Sequence, residues 1–314
     1  MSMGRGDWLR TMNATLAAEI GSAAEFAEAA RGWSGGVLEE VLPDLYADLR
    51  ARLVTGRVTT SARSPLGQPD QIRGVLLTAR EVPLWRRSYY SERSWPRFLA
   101  RLGEHPEYAS IEITPLNGRG QPADCKRGHA RVGVQRRPDR APGWVCFSLG
   151  APAVFTGWPD LPQLQDQWAG FVQRQAARIG ACAGGMSDDG GVDEYETSLE
   201  SCLPEHVRIA KDSSWGHVRE ELRGYWWVTV VPGELAARLG GPGGLAATGA
   251  FHEVSSLPDG SVWLRATPTI NEFTGERIRE VFEALAPILP AGVTKIRHFA
   301  AYCIVEGVDA ADLR

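Results

Sequence analysis

Cys202, His206 and His217 form a C-x3-H-x10-H set, Cys125 and His129 a C-x3-H pair, and His298 and Cys303 an H-x4-C pair. Structural zinc sites present closely spaced ligand pairs in both halves of the site. None of these sets does, so no metal is expected. No G-x-S-x-G elbow is present, so no strand-to-helix serine nucleophile is placed. Cys146, within Trp-Val-Cys-Phe, reads as an inert buried thiol. Cys125 stands beside Lys126 and Arg127, cations that favour a thiolate. An enzyme reading, or a small-ligand one, draws on His217, His252, His298, Asp212 and Cys125 around a cleft. Gly118-x-Gly120 and the Gly240–Gly244 run lack the strand-to-helix context of a phosphate cradle. No cofactor is expected.

Charge supplies a different kind of candidate. Asp188, Asp189, Asp193, Glu194, Glu196 and Glu200 crowd a segment without a cation. Such a run is a solvated loop, or a face that steers a basic partner. Lys126, Arg127, Arg131, Arg136, Arg137 and Arg140 form an arginine-rich hairpin without interleaved aromatics, which suits a solvated sheet edge. The net charge of −4 and pI near 5.9 argue against a general nucleic-acid binder. Tryptophan is the compositional outlier, with 11 copies. Trp226 and Trp227 are consecutive in an expected strand, so they face opposite sides. Trp85-Arg-Arg-Ser-Tyr-Tyr90 combines the residue types enriched at binding hot spots. The partner-binding candidates are therefore Trp85, Arg86, Tyr89, Tyr90, Trp226, Trp227, Asp188, Asp189, Asp193 and Glu194.

These residues need elements to position them. The chain has 314 residues, 43% of them hydrophobic and 23% charged, enough for a sizeable core. Five cysteines, an odd number without CxxC spacing, fit a reducing compartment. No signal-like or membrane-length apolar run appears, so a cytoplasmic placement without membrane contact is expected. Residues 7–55 read as an alanine-rich helical arm and 56–71 as a linker. Ile72–Val82 reads as a strand, Ser94–Leu102 as an amphipathic helix, and Tyr108–Leu116, His129–Gln135 and Trp144–Leu149 as strands. Leu161–Ile179 follows as a helix. After the acidic linker come a strand at Tyr225–Val231, a helix from Glu234, and a hairpin around Leu257-Pro-Asp-Gly260. A helix at Glu276–Leu289 and a last strand at Ile296–Val305 close the chain. Each half thus runs in the ferredoxin-like βαββαβ order. The expected class is α+β: two such halves with a mainly antiparallel sheet covered by helices, plus an N-terminal helical arm. The expected divisions are 1–71 (arm and linker), 72–186 (first half), 187–221 (acidic linker) and 222–314 (second half).

Leu222-Arg-Gly-Tyr-Trp-Trp-Val-Thr-Val-Val-Pro-Gly-Glu-Leu-Ala-Ala-Arg-Leu-Gly-Gly241 resembles a segment of the type VI secretion immunity (TsiV-like) family. There a Gly, an aromatic and a W-[VL]-T strand lead into a helix closing on L-G-G. Leu264-Arg-Ala-Thr-Pro268 and Ala284-Leu-Ala-Pro-Ile-Leu-Pro290 are similar to the family's closing strand and helix, and Trp168–Gly180 to its upstream helix. The resemblance spans about residues 75–290 and is specific at 222–241. It implies a cytoplasmic protein that binds a cognate toxin and blocks it without chemistry of its own. It transfers no individual binding residue. A homodimer is compatible with this reading.

Overall fold

The computed structural model describes residues 10–51, 72–82, 84–116, 130–188, 197–295 and 305–314, with backbone only at 154–155 and 211–213. The class is α+β, with antiparallel strand pairing. In chain order the strands are β1 (Thr11–Glu19), β2 (Ile72–Ala79), β3 (Trp85–Tyr89), β4 (Tyr108–Pro115), β5 (Ala130–Arg137), β6 (Ala141–Pro152), β7 (Ala183–Ser187), β8 (Val228–Val231), β9 (Glu253–Ser256) and β10 (Val262–Arg265). The helices are α1 (Ala23–Gly36), α2 (Pro43–Ala51), α3 (Ser94–Leu102), α4 (Ala153–Thr156), α5 (Pro162–Ile179), α6 (Ser198–Cys202), α7 (Gly233–Arg238), α8 (Gly241–Ala247) and α9 (Glu276–Leu285). They sort into two compact units. One holds 20–136 and 147–157, the other 11–19, 137–146 and 158–314.

The helical arm needs correction at its start. Residues 11–19 are a strand, with Met12, Ala14 and Leu16 fully buried on one face. Helix propensity favours alanine, but pairing with β7 from Asn13 to Ala17 overrides it. The helix begins only at Ala23. Ser22 caps it through a reciprocal box, accepting from the Glu25 N–H at 3.2 Å while the Glu25 carboxylate accepts from the Ser22 N–H at 3.2 Å. The helix continues through Gly32–Gly36 into a π-helical turn at Val37–Val41.

In the first unit the strand order is β3-β2-β4-β5-β6. Only β4-β5-β6 runs as a meander, whereas β3 and β4 flank β2 on opposite sides, and the order departs from the ferredoxin-like one expected there. The reason is β3, which sequence patterning did not show. It reverses the chain before α3, so β4 pairs directly with β2. Helices α1, α2 and α3 cover one face. The Trp33 indole N–H donates to the Ser148 carbonyl at 3.1 Å, and the Arg31 guanidinium donates to the Leu99 carbonyl at 3.0 Å.

In the second unit the order is β6-β1-β7-β8-β10-β9. Here β8, α7–α8, β9, β10 and α9 follow the expected strand–helix–strand–strand–helix sequence. The place beside β8 that a closing strand would take is held by β7, from upstream. The expected strand at 296–305 lies almost wholly outside the described residues. At Gly184, φ is +142°, and a Cβ would meet the Thr15 carbonyl oxygen, so β1 and β7 approach closely only because that residue is glycine. Asp259 shapes the β9–β10 turn by accepting from the Ser261 N–H at 3.2 Å.

Candidate functional site

The β2–β3 hairpin carries the candidate surface, all within the first unit. Its turn is pinned. The Val82 N–H donates to the Glu107 carboxylate at 2.9 Å, and the Leu84 N–H donates to the Glu81 carbonyl at 2.7 Å. At the far end the Tyr90 N–H donates to the Gly74 carbonyl at 2.8 Å. A Cβ on Gly74 would stand 2.8 Å from the Tyr90 Cβ and 3.0 Å from Leu49, so glycine lets α2 and β3 close on β2 together.

Alternation divides the Trp85–Tyr90 motif between two faces. Registers Ala79–Trp85, Leu77–Arg87 and Val75–Tyr89 put Trp85, Arg87 and Tyr89 on one side. Registers across β4 and β5 add Tyr108, Ser110, Glu112 and Arg131 to that side. Aromatic rings and guanidinium groups interleave there. Trp85 meets Tyr108 edge-on at 5.0 Å, and Arg131 lies over the Tyr108 ring at 5.6 Å while donating to its hydroxyl. Arg73 stacks on Tyr89 at 4.5 Å, and Arg87 approaches the same ring at 5.8 Å. Such contacts hold a cation in fixed register with a ring. Arg73 is buried, and among the described residues its guanidinium nitrogens meet no well-aligned hydrogen-bond acceptor, Tyr89 being met through its ring. Burial therefore pulls its pKa below the ordinary arginine value, while Tyr89 acts in the opposite direction. Arg86 points to the helix-covered side, 3.9 Å from Glu104. Tyr90 is half-buried between Tyr46 and Trp95, at 6.2 and 5.7 Å, and burial raises its phenol pKa.

The outer end of the hairpin is apolar and exposed. Val82, Leu84 and Trp85 are 36%, 68% and 48% accessible. Arg86 and Arg87, both exposed, follow at once. An accessible indole beside exposed guanidinium groups matches the residue types enriched at protein-binding hot spots.

The fold has a solved counterpart. The chain is similar to the Pseudomonas aeruginosa T6SS protein PA0821 at a TM-score of 0.50 and 13% identity, over 89% of this chain and 74% of that one. No family model matches, and no curated protein does.

The structure does not gather the other candidates into one site. Trp227 is fully buried, and its indole N–H donates to the Thr267 carbonyl at 2.9 Å. The Arg265 guanidinium covers its ring at 4.9 Å and pairs with Asp166 at 2.5 Å. Trp226 is half-buried and packs against the cluster of Ala17, Trp144, Cys146, Cys182 and Trp215. The Ala266 N–H donates to the Trp227 carbonyl at 2.8 Å, continuing the β8–β10 ladder by one residue, and the two consecutive indoles have different neighbours. A Cβ on Gly185 or Gly224 would come within 2.5 or 2.6 Å of Trp226, so both glycines make room for it. Asp188 is half-buried at the end of β7, whereas Asp189, Asp193 and Glu194 lie outside the described residues.

Among the enzyme candidates, His217 contacts Glu220 at 3.0 Å, with side chains 42% and 71% exposed. That pair stands in solvent. His252 is exposed, and its backbone N–H donates to the Ala266 carbonyl at 3.2 Å. Cys125, His298 and the Asp212 side chain lie outside the described residues. Among the described residues no helix is long and apolar enough to cross a membrane.

Sequence reasoning missed Arg73, Tyr108 and Arg131 as companions of Trp85 and Tyr89. They lie on three different strands, and only the pairing register brings them together. It also missed a buried charge network in the second unit. Arg223 Nε donates to Glu200 Oε2 at 2.6 Å, and its Nη1 to Glu221 at 3.1 Å. Glu200 also accepts the Ile209 N–H at 2.6 Å. This network fastens residues 197–225 ahead of the tryptophan pair.

Proposed function

We propose that this chain is an immunity-type binding protein that acts in the cytoplasm by occluding a cognate toxin, with the β2–β3 hairpin as its anchor. The observation that carries the proposal is the exposed Leu84–Trp85 pair, held on a pinned turn and followed by two exposed arginines. A stable occluding complex buries on the order of 1,200–2,000 Å² in total, with a few aromatic and arginine anchors supplying most of the energy. The resemblance at residues 222–241 and the fold likeness to a T6SS protein support the same reading. The acidic segment around Asp188 would serve as a steering face within it.

The test is co-expression in a bacterial host with toxins encoded beside this chain. Wild-type chain should restore growth against one of them. The Trp85→Ala/Arg87→Glu double variant, folded by circular dichroism, should not. Full protection by that variant would remove the hairpin from the proposal, and failure to protect against any adjacent toxin would remove immunity itself.

A further inference from the structure

Among the described residues, the outer edge of β3 is an open ladder. β3 ends the strand order of its unit, with β2 on one side only. In an antiparallel pair, directly opposed residues alternate between exchanging backbone bonds and exchanging none. The Tyr90 N–H to Gly74 carbonyl bond, in a register that pairs Tyr89 with Val75, fixes the phase. Ser88 and Arg86 therefore bond inward to β2. The N–H and carbonyl groups of Trp85, Arg87 and Tyr89 point away from it. A separate contact agrees: the Ser94 hydroxyl donates to the Tyr89 carbonyl at 2.5 Å, from outside the β2–β3 ladder. That leaves the outward groups of Trp85 and Arg87 on a strand whose first three residues are exposed.

We infer that β3 receives an extended strand of the partner protein, with an acidic residue placed opposite Arg87. This rests on the reading of the hairpin as the binding surface and specifies its chemistry. Charge selects the occupant. β3 carries two arginines and no acid. Antiparallel pairing of β3 with a second copy, centred on Arg87, would set Arg87 against Arg87, and like charges directly opposed destabilise a sheet pair. An acidic residue there gains where a copy loses, and apolar residues two positions to either side would meet Trp85 and Tyr89. Backbone pairing would supply affinity and the alternate side chains specificity, as in other strand-addition complexes.

The probe is a synthetic peptide, Thr-Val-Thr-Glu-Thr-Val-Thr, against its counterpart with lysine in place of glutamate. Binding to the full chain is read by fluorescence anisotropy, and the site by amide hydrogen exchange. The acidic peptide should bind roughly tenfold more tightly than the basic one, from the sign of one cross-strand pair, and should slow exchange at the Trp85 and Arg87 amides. Arg87→Pro removes an outward donor without touching an inward bond, a position where an edge strand tolerates proline, and should abolish binding. Arg87→Glu keeps the backbone donor and should reverse the preference between the peptides. Equal binding of both peptides, unchanged exchange at Trp85 and Arg87, or concentration-dependent dimers lost in Arg87→Glu would overturn strand addition. If Arg87→Pro still protects cells while Trp85→Ala/Arg87→Glu does not, strand addition fails and the immunity reading stands.

Discussion

Replacing Arg223 with methionine takes the cation away from a carboxylate that has no solvent to turn to. The Arg223 and Glu200 side chains are 2% and 0% accessible. The variant loses the Nε contact to Glu200 at 2.6 Å, the bond to Glu221 at 3.1 Å and the bond to the Val207 carbonyl at 3.2 Å. Glu221, 41% accessible, regains water and contributes little to the loss. Glu200 keeps the Ile209 N–H at 2.6 Å but has lost the Arg223 guanidinium. Removing one partner of a buried ion pair costs about 3–5 kcal/mol. A second change, Glu200→Gln, removes the buried charge that Arg223 had balanced and leaves an acceptor for Ile209, so it should restore about 1–3 kcal/mol in the Arg223→Met background. Urea unfolding gives the totals, and hydrogen exchange at the Ile209 and Leu222 amides localises them. A loss below about 1 kcal/mol, the value of an exposed pair, would refute the argument. So would a Glu200→Gln change that deepens the loss.

Two further predictions concern groups whose protonation the fold controls. His105 has its pKa lowered first by burial and then by the nearby Arg136 charge. It should therefore hold full stability above about pH 6.5, the unfolded value, and lose stability as pH falls from there through its lower folded value. Its φ of +56° suits asparagine, so His105→Asn should flatten that slope in thermal unfolding between about pH 5 and 7; an unchanged slope would contradict the assignment. Burial raises the Cys182 thiol to about 12, and Cys146 and Cys202 are buried too. Native protein treated with a thiol reagent at about pH 8 should leave all three unmodified, and rapid labelling at any of them, mapped by mass spectrometry, would show that the packing is looser than described.

Legibility in the sequence followed local periodicity. β4, β5 and β10 alternate plainly, and α5 and α9 carry apolar residues at helical spacing, so their positions were readable within a few residues. β1 was not, because Thr-Met-Asn-Ala-Thr-Leu-Ala-Ala-Glu has helical propensity and becomes a strand only through pairing with its neighbours, β7 among them. β3 was not, because Trp-Arg-Arg-Ser-Tyr is a short polar edge whose pairing depends on the turn before it. The candidate site was half legible. Residue types alone marked Trp85, Arg86 and Tyr89 as binding candidates. The stacking of Arg73 on Tyr89 and of Arg131 on Tyr108 depends on register across four strands, which no local pattern encodes. Trp226 shows the reverse case: its type suggested a surface anchor, and two glycines let it pack against a core cluster.

The measurement closest to the central claim is the affinity of the purified chain for a toxin that it neutralises, compared with that of Trp85→Ala by titration calorimetry. If the hairpin is the anchor, the variant should bind at least about 30-fold more weakly, the loss of about 2 kcal/mol typical of a buried aromatic anchor, with its unfolding midpoint unchanged. Equal affinities would place the occluding surface elsewhere on the molecule.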